Sequence, residues 1–130
     1  MDYNLKAGLS GQAKSVVTES NTALEYGSGS VNVFATPAMI GLMEKAAIEA
    51  VDNLLPEGYA SVGTSLKIRH LEATPIGINV IAEAKLIELD GPKLKFAVEA
   101  FDNAGKIGEG THSRYIVKLS EFMKKAESKR

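Results

Sequence analysis

Three side chains carry the chemistry this sequence has to offer: Thr36, Glu44 and His70. Glu44 is flanked at helical spacing by Ile40 and Gly41 one turn before and Ala47 and Ile48 one turn after, all uncharged. Glu49, by contrast, has Lys45, Asp52 and Asn53 as neighbours, the setting of a solvated face. A carboxylate on the apolar side of a helix requires hydrogen-bond donors, a raised pKa or both, and those are also the properties of a carboxylate that moves protons. A structural glutamate at the margin of the stripe accounts for the helix pattern equally well. His70 alternates in phase with Val62, Leu66 and Ile68, which turns it toward the same face as those side chains. A lone inward histidine is more often a hydrogen-bonded core residue; opposite a buried glutamate it can also activate water and carry a proton to a leaving group. Thr36 precedes Pro37 and reads as a helix N-cap, at a helix end whose free N–H groups and positive dipole suit a developing oxyanion.

Further residues are open to two readings. Gly63 permits close backbone approach, or marks a bulge or a packing need. His112 and Arg114 follow Gly108 and Gly110, whose bulge tendency leaves their face unassigned. Arg114 is expected either to contact phosphate groups or to form a surface ion pair. GSGS at 27 to 30 precedes no strand–turn–helix unit of the dinucleotide-binding type and is given no nucleotide role.

The elements that position these residues are readable. Residues 13 to 18 form a short strand signal, and residues 20 to 30, rich in Ser, Gly and Asn, a loop that could serve as a lid. From 36 to 55 Met39, Leu42, Met43, Ala46, Ala47, Ala50, Val51 and Leu54 recur at three- and four-residue steps, predicting a long core helix closed by Pro56 and Gly58. Four segments with two-residue alternation follow, at 60 to 71, 78 to 89, 94 to 101 and 107 to 119. Their short connections predict an antiparallel meander. A final helix can begin at Ser120 and fray in the charged KKAESKR. One strand, one long helix and four antiparallel strands predict a single α+β domain over residues 1 to 130 with a hotdog fold, an antiparallel sheet wrapped around one central helix. Other α+β folds share that order, so the elements alone do not single it out.

Composition narrows the function classes. The 130 residues include 15 Lys and Arg against 16 Asp and Glu, a formal net charge of -1 that offers no basic face for nucleic acid. No apolar stretch approaches membrane-spanning length and the opening MDYNLKAGLSGQ lacks a secretion-signal block, so no membrane partner and a cytoplasmic location are expected. With no Cys and only two His, neither a metal site nor a cysteine nucleophile is expected.

In FATPAMIGLMEKAA (34 to 47), SVGTSLKIRHLEATPIG (61 to 77) and IGEGTHSRYIV (107 to 117) the chain resembles the hotdog thioesterases typified by fluoroacetyl-CoA thioesterase. That family's constellation is a threonine, a glutamate eight residues on and a histidine 26 further, the spacing of Thr36, Glu44 and His70. The resemblance implies an acyl-CoA thioesterase with these three as its catalytic set and Phe34, Gly63 and Arg114 on the substrate side. It also implies an acyl-CoA substrate, no cofactor or metal, and a homodimer with sites near the subunit interface. The fluoroacetyl-specific member carries gating phenylalanines in the loop before the FAT motif, where small residues stand here, around Gly27 and Ser30. A short or medium acyl-CoA is therefore the implied substrate. The alternatives are a hotdog dehydratase or hydratase, or a non-catalytic acyl-CoA-binding module.

Overall fold

A computed structural model describes residues 3 to 130. Strand β1 (Ser10–Val16) leads through a 3-10 turn (Glu19–Asn21) and a one-turn helix α1 (Ala23–Tyr26) to the long helix α2 (Thr36–Val51), which ends in a 3-10 turn (Asp52–Leu54). Strands β2 (Tyr59–His70), β3 (Asn79–Asp90), β4 (Lys93–Asp102) and β5 (Gly105–Lys118) follow, and α3 (Leu119–Glu127) closes the chain. Among the described residues no helix is long and apolar enough to cross a membrane.

These strands pair antiparallel in one sheet of order β1-β3-β4-β5-β2. The expected meander holds for β3, β4 and β5 only. β2 lies at the far edge beside β5, because its exit is taken up elsewhere instead of turning back into β3. Thr74 gives its carbonyl to the Phe34 amide and its hydroxyl to Asp102, and Gly77 bonds Val17 from a left-handed conformation with φ +96°. The segment from 71 to 78 thus runs beside Val33 and Phe34 and delivers β3 to the β1 side.

Alternation sorts the strands as their sequence suggests: Val80, Ala82, Ala84 and Leu86 of β3 and Leu94, Phe96, Val98 and Ala100 of β4 point into the core. Against them α2 buries Met39, Leu42, Met43, Ala46, Ala47, Ala50 and Val51. Each large side chain so buried contributes about 1.5–3 kcal/mol. Leu54 departs from the expected stripe: it lies past the last α-helical turn and is 51% exposed. The alanines bring α2 down onto β1. A methyl group added to Gly11 would strike the Ala46 carbonyl and lie 2.5 Å from the Ala50 amide nitrogen, so only glycine admits this approach. As a result α2 covers β1 and β3 and barely touches β2.

Candidate active site

The helix start does not use Thr36 as a cap. Ala35 occupies that position with extended backbone, and Thr36 and Pro37 are the first helical residues. The freed hydroxyl instead lies 2.7 Å from Nδ1 of His70, the last residue of β2. His70 Nε2 is shielded from solvent and has no hydrogen-bond partner among the described residues. A hydroxyl on one ring nitrogen and a free second nitrogen allow either tautomer: Thr36 donating into Nδ1 with a proton on Nε2, or the reverse with a basic Nε2. Burial pushes the His70 pKa below the ordinary imidazole value, and a backbone group of Glu72 offsets part of that effect. Desolvation therefore keeps the ring neutral and available to accept a proton.

Beside this pair opens a cavity of about 350 Å³, walled by Ala23, Val33, Phe34 and Leu71 with Ser28 at its rim. Phe34 is buried, its backbone tied to Thr74 and bridged to Thr22, so the wall is firm. The segment from 20 to 30, expected as a loop, contains the end of the 3-10 turn and helix α1, and supplies Ala23 and Ser28 of this lining.

His70 shares the inner face with Leu66 and Ile68 as expected, but Val62 does not. A bulge between Gly63 and Ser65 reverses the phase of β2, so Ser61 and Gly63 face inward and Val62 pairs with Tyr115 on the outer face. The reversal builds a second cluster. Arg114 is 5% exposed, which does not fit a surface ion pair. Its Nε donates to Ser61 Oγ (2.7 Å), Nη2 to the Ser61 carbonyl (2.8 Å) and Nη1 to His112 Nε2 (3.0 Å). His112 is fully buried and donates from Nδ1 to the Ser65 carbonyl at 2.9 Å, which leaves Nε2 as the acceptor and fixes the neutral tautomer. Burial lowers the His112 pKa and the adjacent guanidinium lowers it further. Desolvation also depresses Arg114, with Asp52 and Glu44 opposing it.

Glu44 belongs to this second cluster. Its carboxylate Oε2 stands 3.8 Å from Arg114 Nη1, and its side chain is 37% exposed. The buried glutamate facing His70 is thus corrected on both counts: Gly41 and Ile48 beside it are themselves exposed, and its charged neighbour is an arginine. Gly63 is the floor under that carboxylate. A Cβ there would lie 2.9 Å from Glu44 Oε2 and 3.2 Å from His112 Cε1.

Within one protomer the two clusters stay apart. α2 is helical without interruption from Thr36 to Val51, so Thr36 and Glu44 are separated by about 12 Å of rise. That distance is too long for a direct hydrogen bond between them. Ser61 and Asp52 were missed in the sequence; the signal for Ser61 lay in Gly63, whose bulge puts an odd-numbered serine on the inner face, and Asp52 had none. His112 and Arg114 were legible as a pair, since residues two apart on a strand share a face whichever face it is.

The sequence matches the family of fluoroacetyl-CoA-specific thioesterases (FlK) over residues 17–120. The fluoroacetyl-CoA thioesterase of Streptantibioticus cattleyicolor is 40% identical over 97 residues, 75% of this chain and 70% of that protein. A mutant of FlK in complex with acetyl-CoA superposes with a TM-score of 0.90 at 33% identity, covering 96% of this chain and 98% of that one. A hot-dog-like protein from Thermanaerovibrio acidaminovorans, 24% identical, shares the fold with a TM-score of 0.88 over 99% of this chain and 97% of its own. A hotdog sheet with a threonine–histidine pair at the helix start, matched along most of its length, places this chain in the fluoroacetyl-CoA-specific thioesterase family.

Proposed function

We propose that this protein hydrolyses short or medium acyl-CoA thioesters to the free acid and CoA, acting as a homodimer whose sites combine Thr36 and His70 of one subunit with Glu44 of the other. The observation that carries the reading is the Thr36–His70 hydrogen bond, with the buried, unpartnered Nε2 and the cavity beside it, walled on one side by Val33, Phe34 and Leu71. The acyl group occupies that cavity and its carbonyl meets the start of α2, where the helix dipole favours the developing oxyanion. Oxygen adds to the carbonyl carbon, the C–S bond breaks, and His70 passes the proton taken from the attacking group to the leaving CoA thiolate. Thr36 holds the ring and supplies its hydroxyl to the reacting centre. Glu44 acts as base, sharing with His70 the deprotonation of the attacking water, or as nucleophile. In the latter case water, deprotonated by His70, hydrolyses the acyl–Glu44 anhydride in a second step and its proton goes to the CoA thiolate.

The dimer is supported by what one subunit leaves open. β2 has an unpaired edge 12 residues long, and Leu66 on its inner face is 39% exposed because α2 does not reach it. A short or medium acyl group other than fluoroacetyl is favoured by the small residues around Gly27 and Ser30, where the fluoroacetyl-specific relative carries phenylalanines; Ser28 between them lines the cavity. The deciding assay measures thiol release from a panel of acyl-CoAs by the native protein, Glu44→Ala and His70→Ala. Native turnover with both variants reduced by about 10²-fold or more is expected. Equal activity in all three, or hydration of an enoyl-CoA without CoA release, would overturn the proposal. Mixing the two inactive variants tests the shared site. Subunit exchange restores one intact site per mixed dimer if Glu44 and His70 act across the interface, and restores nothing if they act within one chain.

A further inference from the structure

The charged neighbour of the Glu44 carboxylate is Arg114, and that guanidinium is oriented from behind. Asp52, in the turn that ends α2, places both oxygens on one residue: Oδ2 accepts from the Ser61 amide at 3.2 Å and Oδ1 from the Ser61 hydroxyl at 2.7 Å. Having given its proton to Asp52, Ser61 Oγ must act as acceptor toward Arg114 Nε, and the Ser61 carbonyl receives Nη2 of the same guanidinium. His112, whose Nδ1 proton is committed to Ser65, fixes the third nitrogen. Three nitrogens held in a planar fork leave no rotation, and the edge that remains faces Glu44.

We infer that Asp52 and Ser61 are positioning residues for thioester hydrolysis, a clamp that acts through Arg114 to hold the Glu44 carboxylate in its working place. Such a network is not needed to fill the space, since buried ion networks can be replaced by apolar side chains of like volume without loss of stability. Its geometry points elsewhere. The clamp spans both ends of the structure that must stay in register, because Asp52 and Glu44 lie on the same helix unit while Ser61, His112 and Arg114 lie on the sheet. Gly63 puts no side chain between them. Arg114 thereby ties the sheet to the helix at the height of Glu44, where α2 has little other contact with β2.

This inference rests on Glu44 taking part in the hydrolysis proposed above, and its test separates the two. Thiol-release kinetics are compared for the native protein, Ser61→Ala, Ser61→Thr, Asp52→Asn, Glu44→Gln and the Ser61→Ala/Glu44→Gln double variant, with thermal midpoints recorded for each. Ser61→Ala is expected to lower kcat by about 10- to 10²-fold with KM changed by less than about 3-fold, and Ser61→Thr, which keeps the hydroxyl, to recover most of it. In the Glu44→Gln background the same serine change should cost less than about 2-fold, because the group it positions is already gone. Asp52→Asn, which keeps the shape and removes the charge, should repeat the kcat loss, and it carries the test if Ser61→Ala does not fold. Native kcat in folded Ser61→Ala or Asp52→Asn, or an equal loss with and without Glu44, would overturn the clamp. A native protein that releases no thiol would overturn the proposed activity instead.

Discussion

Gly63→Ala sets the stability of the sheet against the position of one carboxylate. The substitution is conformationally permitted, since Gly63 does not adopt the left-handed backbone that Gly58 or Gly77 requires. Its methyl would lie 2.9 Å from Glu44 Oε2, whereas ordinary carbon contacts begin at 3.4 Å, so the oxygen must retreat by about 0.5 Å. His112 Cε1, at 3.2 Å, must give a further few tenths, and it is pinned at both ring nitrogens. Overpacking costs typically about 1–3 kcal/mol, and the low end applies because the displaced atom is the far end of a partly exposed side chain and not backbone. Restricting the unfolded chain by replacing glycine returns about 0.4–1 kcal/mol. Net stability should therefore change by less than about 1 kcal/mol. Turnover should not survive so well: displacement of a working group by a fraction of an ångström to 1 Å is worth up to about 10²-fold. Thermal melts and thiol-release kinetics on the same preparation give both numbers. A variant that melts with the native protein and keeps native kcat would refute the placement of Glu44 at the reacting centre, because its carboxylate cannot stay where it is beside that methyl.

Thr36→Val should cost no more than about 0.5–1.5 kcal/mol, the value of the His70 hydrogen bond, because Ala35 is the cap; turnover should fall by about 10²-fold or more. Native turnover of the Thr36→Val protein in the thiol-release assay would remove the hydroxyl from the mechanism. Burial lowers the His70 pKa below 6.5, so the acid limb of kcat/KM that reports its protonation should have a midpoint below 6.5 and be absent in His70→Asn. A midpoint above about 7 would contradict the buried neutral ring. Both histidines are depressed, so the unfolded chain binds more protons than the folded one as pH falls below 6.5. Their contribution to stability is complete above that value and is lost on acidification toward the folded-state values, and thermal midpoints recorded from pH 7.5 to 5 should fall accordingly. Gly11→Ala, whose methyl meets helix backbone and not a mobile tip, should lower the melting temperature by at least about 5 °C, and an unchanged melt would refute the close helix–strand contact.

Local features were the legible ones. The alternation of LKFAVEA carries the inward set Leu94, Phe96, Val98 and Ala100 without help from the rest of the chain, and the apolar steps from Met39 to Val51 do the same for α2. The position of β2 was not legible, because the neighbour of a strand is decided by where its exit is tied. Here that depends on Thr74 meeting Phe34 and Asp102, residues 40 and 28 positions away. The cap was misassigned for a related reason: Thr36 has the right chemistry for its own helix end, and a histidine from a distant strand claims its hydroxyl first. The face of Val62 failed on a single inserted residue, since a bulge exchanges the two faces of everything before it. Thr36, Glu44 and His70 were joined as one set by the family resemblance; that they lie in two clusters within one chain could not be read, because spacing along a chain carries no statement about distance in the fold.

The placement of polar side chains follows from how α2 is seated. Gly11 and the alanines at 46, 47 and 50 draw the helix to the β1–β3 side of the sheet, where the small and aliphatic inner residues Ala13, Val80, Ala82 and Ala84 receive it. The inner face of β2 and β5 meets α2 through side chains such as Thr36, Met39 and Glu44 and not through close backbone approach, and there Ser61, Gly63, His70, His112 and Arg114 stand among Leu66, Ile68, Ile107 and Ile116. Burying a histidine and an arginine is tolerable only with their hydrogen bonds made, and each bond found for them comes from a neighbour on that same strip. His70 Nε2 is the exception, shielded and unpaired among the described residues. A fold that centred its helix would have filled this strip and had no use for the polar set. The off-centre seat therefore links the glycine on β1 to the polar strip on β2 and β5: the contact that packs one half of the sheet is what leaves room for polar side chains on the other.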